Sequence, residues 1–220
     1  MSSTRAPRSR SSAVSKAANA GNSSRTVWIV LAGLLVVGFT VIMAIALAQE
    51  DRPDAGEQTA AVTVSGEPLA RFTDGGEAGP APEVSGTALG GGSLEITNDG
   101  RPKVIGFFAH WCPHCQAEVP EVSDWVNAGN APDDVDLYAV STGVNPAAGN
   151  YPPSAWFDRV DWQIPTLLDD LANSAANAFG LSGYPFWVAV DGDGNVVDRR
   201  SGRIGVDELE ALIDLTRGES

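Results

Sequence analysis

The chain has 220 residues, 28 of them Asp or Glu against 14 Lys or Arg, for a formal net charge of −14 at pH 7. Arg5, Arg8, Arg10, Lys16 and Arg25 all fall in the first 26 positions, where no acid stands, so the rest of the chain is more acidic still. That balance excludes nucleic acid and anionic lipid surfaces as partners, because both repel a polyanion.

In chain order, residues 1–26 are Ser-, Ala- and Arg-rich and predict a disordered basic tail. Residues 27–48 form an uninterrupted run of 22 uncharged, mostly apolar positions. As a helix such a run can cross a hydrocarbon core of about 30 Å. Glu50, Asp51, Asp54 and Glu57 follow it with only Arg52 opposing. The positive side stays cytoplasmic, which predicts a single-pass cell-membrane anchor with everything after it extracytoplasmic. Ala46-Leu47-Ala48 leaves a cleaved signal peptide as the alternative. Signal-peptide apolar regions run only about 7 to 15 residues, which favours a retained anchor. Residues 49–80 lack a sustained apolar period and predict a flexible acidic linker.

Residues 81–220 have the size of one ordinary domain. The pattern predicts paired strands around 83–97, then strands at 104–109, 135–141, 166–168, 186–190 and 196–200. Helices are predicted after Cys112, over 173–179, and at the C-terminus, where Leu209, Leu212 and Ile213 share a face. Strands alternating with helices predict an α/β domain with a mixed central sheet flanked by helices. Residues 145–161 read as an insertion carrying a short helix, with Tyr151, Trp156 and Trp162 as core in preference to site rim. Asp191, Asp193 and Asn195 echo a calcium loop, but Val196 and Gly202 stand where its Gly and Glu belong, so the segment reads as a hairpin turn.

The two cysteines, Cys112 and Cys115, are the only ones in the chain, within Trp111-Cys112-Pro113-His114-Cys115. A bridge between them closes too short a loop to remove much unfolded-chain entropy, so it is poor as a staple. A C-x-x-C pair between a strand and a helix reads instead as a dithiol that makes and breaks its own bond. At the helix start, unpaired N–H groups and the helix dipole favour a thiolate at Cys112. Pro113 suits the first helical position, having no N–H to leave unpaired. His114 can further favour that thiolate, and Cys115, one turn on, is placed to resolve a mixed disulfide. A metal site remains open as an alternative, since the chain's two His, His110 and His114, flank the same segment. Copper(I), content with few soft ligands, fits that alternative better than zinc.

The stretch from Phe107 to Cys115, with Glu118-Val119-Pro120 after it, resembles the active-site segment of the thioredoxin superfamily, in particular its membrane-anchored TlpA/ResA-like extracytoplasmic branch. Gly183-Tyr184-Pro185-Phe186-Trp187 is similar to that family's later cis-proline element, while Ile164-Pro165-Thr166 comes too early for it. The resemblance implies a thioredoxin-like fold and protein thiol–disulfide exchange without cofactor or metal. It implies Cys112 as nucleophile, Cys115 as resolving thiol, Trp111, Pro113 and His114 as redox-tuning neighbours, and Tyr184 with Pro185 lining the substrate groove. The implied partners are exported cysteine-containing proteins and a membrane redox protein, met by a monomer.

Two positions depart from the family pattern. Gly106 stands where thioredoxins carry a buried acid that relays protons, which leaves Glu118 or water for that task. The Pro-His dipeptide is that of the oxidising DsbA proteins, whereas the TlpA/ResA-like branch contains many reductants. Oxidant is the favoured expectation, with a reductant in cytochrome c maturation as the alternative.

Overall fold

A computed structural model of the chain describes residues 23–49, 60–73 and 79–218. Most of the predicted basic tail, up to residue 22, lies outside the described residues. Helix α1 (Ser23–Gln49) belongs to one compact unit and all the strands to a second. The side chains of α1 are described at 27–41 and 43, where they are exposed. Among the described residues no helix is long and apolar enough to cross a membrane.

The second unit contains two sheets. The larger has the order β6-β5-β4-β7-β8, from β4 (Lys103–Phe108), β5 (Asp136–Ser141), β6 (Thr166–Leu168), β7 (Phe186–Val190) and β8 (Val196–Ser201). β4 runs parallel to β5 and antiparallel to β7, so the sheet is mixed, as predicted. Every residue of β4 is buried, consistent with its continuous apolar run. Lys103 is the exception to that run, and its ammonium is satisfied by Thr97 O at 2.6 Å and Asp99 Oδ1 at 2.8 Å.

Helices α2 (Pro113–Asn127), α3 (Pro153–Asp158), α4 (Ser174–Ala178) and α5 (Gly205–Thr216) complete the unit. Val119, Val122 and Trp125 of α2 and Leu209, Leu212 and Ile213 of α5 bury one face of the sheet, with Val104, Phe108 and Trp187. Ile105, Phe107, Phe179, Phe186 and Val188 build the other core, in which the Phe107 ring lies 5.4 Å from Phe179. The insertion at 145–161 carries α3, whose Trp156 and Phe157 are buried. Trp162 packs edge-on against Phe108, and Tyr151 packs edge-on against His110.

Of the predicted linker at 49–80, residues 50–59 and 74–78 lie outside the described residues, and the part at 60–73 needs correction. Within it, β1 (Val62–Ser65) pairs with β2 (Glu83–Thr87), which pairs in turn with β3 (Ser93–Ile96) in an antiparallel sheet. Beyond β1, the Leu69 N–H donates to Ala178 O at 2.8 Å and the Phe72 N–H to Gly180 O at 2.7 Å. The Phe72 ring packs on Phe186, and the Arg199 guanidinium lies over it while bonding Ala70 O. Residues 60–73 are therefore part of the domain's packing. Four alternating residues with a partner some twenty positions away leave little local signal.

The Tyr184–Pro185 peptide bond is cis, as the family resemblance implies, and the bond before Pro165 is not. A second cis bond, Tyr151–Pro152, has no sequence signal.

Candidate active site

The end of β4 delivers the dithiol to the start of α2. Cys112 is the helix N-cap in extended conformation, with Pro113 in the first turn, where a missing N–H costs nothing. The Cys112 N–H turns back to Ala109 O at 2.9 Å, and Gln116 N–H donates to Cys112 O at 3.0 Å. The two sulfurs sit in different settings: Cys112 is 6% exposed and Cys115 fully buried. Burial pushes the Cys115 thiol well above its ordinary range, and the negative charges of Cys112 and Glu118 add to the shift. Cys115 therefore stays protonated at neutral pH.

The cis-proline element lies against Cys112. The Cys112 thiol donates to the carbonyl oxygen of Tyr184 at 3.7 Å, and buried Pro185 follows. The Trp111 ring, 39% exposed, stands edge-on to the Tyr184 ring at 5.7 Å and donates its Nε1–H to Gly143 O at 2.7 Å. The fold thus brings Trp111, Cys112, Cys115, Tyr184 and Pro185 together. His114 is exposed on the first turn of α2, and its imidazole makes no hydrogen bond among the described residues.

Two other features are legible only in part. Gly143 adopts φ +62°, and a Cβ there would meet the Tyr184 hydroxyl at 2.7 Å, so a side chain is strained and would displace Tyr184. Asn173 Oδ1 fixes this turn by accepting the Gly143 N–H at 2.9 Å and the Thr142 hydroxyl at 3.2 Å. Nothing in the spacing of Gly143 and Asn173 announces that link.

Glu118 is fully buried three residues after Cys115. Its Oε1 accepts the N–H groups of Ile204 at 2.7 Å and Gly205 at 3.0 Å, and Oε2 accepts Trp187 Nε1–H at 3.1 Å. Burial raises its carboxyl above the usual range, partly offset by those three donors and the charge of Arg203. The space an acid takes in thioredoxins is filled here, since a Cβ on Gly106 would meet the Phe108 ring at 2.7 Å and the Trp187 ring at 2.9 Å.

His110 is 1% exposed and has no lone pair for a metal. Its Nδ1 lies 2.8 Å from Gly149 O, and its Nε2 accepts the Asn145 N–H at 3.1 Å. Among the described residues no group of three or more His, Cys, Asp and Glu side chains could hold a metal ion. A cleft of about 460 Å³ lined by Leu89, Pro152, Asp158 and Trp162 contains none of the candidate residues.

Residues 76–213, well over half of the chain, match the Redoxin family. The thiol:disulfide interchange protein DsbA of Bordetella pertussis is 32% identical over 97 residues, which cover 42% of this chain and 45% of that protein. The chain thus spans less than half the length of that curated relative. Among solved structures, MTB DsbF in its mixed oxidized and reduced forms is similar with a TM-score of 0.50 and 26% identity, covering 60% of this chain and 93% of that one. A thiol:disulfide interchange protein of the thioredoxin family from Chlorobium tepidum TLS has a TM-score of 0.52 at 18% identity, covering 69% of this chain and 98% of its own, a likeness of fold. On the match over residues 76–213 and this thioredoxin-like architecture, the chain belongs to the Redoxin family and is a thiol–disulfide oxidoreductase of the thioredoxin superfamily.

Proposed function

We propose that Cys112 and Cys115 are the exchanging pair, and that the chain oxidises exported cysteine-containing proteins from a membrane-anchored, extracytoplasmic position. The observation that carries the reading is the asymmetry of the pair: Cys112 at the start of α2 against the cis-proline element, and Cys115 sealed behind it. In the oxidising direction a substrate thiolate attacks Cys112 Sγ of the Cys112–Cys115 disulfide. The mixed disulfide forms, and Cys115 leaves as a thiolate and takes up a proton. A second substrate thiolate then attacks the substrate sulfur, closing the substrate's disulfide and releasing Cys112 as a thiolate. Two electrons pass to the dithiol, to be collected by a membrane redox partner.

Direction follows from which state the helix favours. A thiolate at a helix N-terminus exists only in the reduced form, so stabilising it makes the disulfide a stronger oxidant. Burial of Glu118 near Cys115 supports the reverse reading, a reductant in cytochrome c maturation, because a nearby carboxylate can accept the proton that Cys115 must lose as the disulfide closes on it. Denaturant unfolding of both redox forms decides between them. The oxidant reading expects the reduced form to be the more stable, and a more stable oxidised form establishes the reductant.

Exposed Trp111 and half-buried Tyr184 form the aromatic border of the partner groove in this reading, with Pro185 as its floor. Pro113 and His114 tune the pair from the first turn of α2. The anchor rests on the uncharged run at 27–48 and on the charge asymmetry around it. A monomer with no cofactor suffices for this chemistry.

A further inference from the structure

We propose that His110 is a positioning residue that holds the 143–151 loop in place beside the dithiol, and that this loop favours protein thiols over small thiols. The inference rests on the reading of Cys112 and Cys115 as the redox pair.

His110 is two residues before the nucleophile, and it is tied to the loop at every polar atom past its own N–H. With Nε2 accepting the Asn145 N–H at 3.1 Å, the ring is neutral and Nδ1 carries the proton that it donates to Gly149 O at 2.8 Å. Its ring meets Tyr151 edge-on at 5.9 Å. The His110 carbonyl accepts from Asn150 Nδ2 at 3.3 Å on the loop side and from Gln116 Nε2 at 3.0 Å on the α2 side. The next residue, Trp111, adds the bond to Gly143 O. Two consecutive residues thus fasten the loop at positions 143, 145, 149, 150 and 151, immediately before Cys112.

Beyond these ties, Asn173 Oδ1 accepts the Gly143 N–H at 2.9 Å and Arg159 donates to Asn150 Oδ1 at 2.7 Å. Within it, Ala148 N–H donates to Asn145 O and Ala147 N–H to Asn145 Oδ1, while Asn145, Pro146, Ala147 and Gly149 are exposed. Its first residue, Gly143, supports Trp111 and touches Tyr184, the two aromatic residues at the groove border. Loosening the loop therefore disturbs the surface that a large partner contacts. A small dithiol needs only the Cys112 sulfur.

The test uses the full chain in its disulfide form, reduced either by dithiothreitol or by reduced, unfolded ribonuclease A. Electrons pass from each substrate's thiols to the enzyme disulfide, so both reactions balance without a further reagent. His110→Leu should weaken the reaction with ribonuclease A by about tenfold more than that with dithiothreitol, through KM and not kcat. His110→Gln, which can still donate and accept, should recover part of that loss. Asn150→Gly keeps the left-handed backbone of φ 61° but removes the side-chain ties to the His110 carbonyl and to Arg159, and should show the same split at smaller size. It carries the test should His110→Leu fail to fold. Equal losses on both substrates, or no loss on either, overturn the inference. Cys112→Ala retaining both reactions would instead overturn the assignment of the redox pair.

Discussion

Replacing Glu118 probes the part of the site that lies below the dithiol. One carboxylate satisfies three donors from two other elements: the half-buried Ile204 and Gly205 N–H at the start of α5, and the buried Trp187 Nε1–H on β7. Glu118→Ala leaves all three without their partner. At about 1–3 kcal/mol for the buried Trp187 donor, and less for each of the two half-buried ones that water can reach, the expected loss is about 2–5 kcal/mol. Glu118→Gln keeps an oxygen for α5 but turns an amide N–H₂ toward the Trp187 N–H, so it should cost about 1–2 kcal/mol. The pH dependence separates the carboxyl from its shape. Burial raises the folded-state value above that of the unfolded chain, so the unfolded state loses its proton first as pH rises. The contribution of Glu118 is therefore fully present below the unfolded value and falls as pH rises through the folded one. Urea unfolding followed by tryptophan fluorescence, run from pH 4 upward, should show that slope in the wild type and not in Glu118→Gln. A Glu118→Ala protein within about 1 kcal/mol of wild type would refute the reasoning.

Gly106→Ala should destabilise by about 1–3 kcal/mol, because its Cβ meets the Phe108 and Trp187 rings at 2.7 and 2.9 Å; an unchanged urea midpoint would contradict that. For His110, burial holds the imidazole below its ordinary value, so the unfolded chain binds the proton first on acidification. Stability should fall as pH drops from about 6.5 toward the folded value, and His110→Gln should lack this component when unfolding is compared at pH 7 and pH 5. Protease added to intact spheroplasts should digest the C-terminal domain and spare the N-terminal tail, and a protected domain would contradict the anchor's orientation.

What is legible in the sequence is what leaves a local pattern. The apolar run of β4, Pro113 at a helix start and the C-x-x-C spacing are adjacent in the chain, so together they assign the dithiol to a strand end and a helix start. Pro185 follows from the family resemblance of Gly183-Tyr184-Pro185-Phe186-Trp187, not from a local pattern. Contacts made by main chain stay hidden: His110 reads as a possible metal ligand because the Asn145 N–H and the Gly149 carbonyl that consume its ring carry no residue identity. Gly106 reads as a missing acid, whereas the cross-strand neighbour Trp187 fills the room and turns its N–H to Glu118. β1 escapes the pattern because its four residues gain their meaning from β2, far along the chain.

The division of labour between the two thiols is tested most directly by trapping. Cys115→Ala lacks the thiol that releases a partner, so it should accumulate mixed disulfides with exported proteins in growing cells quenched with acid and alkylated. Cys112→Ala retains only the fully buried Cys115 and should accumulate few. Equal accumulation by the two variants, or the reverse order, would contradict the assignment of Cys112 as the attacking sulfur.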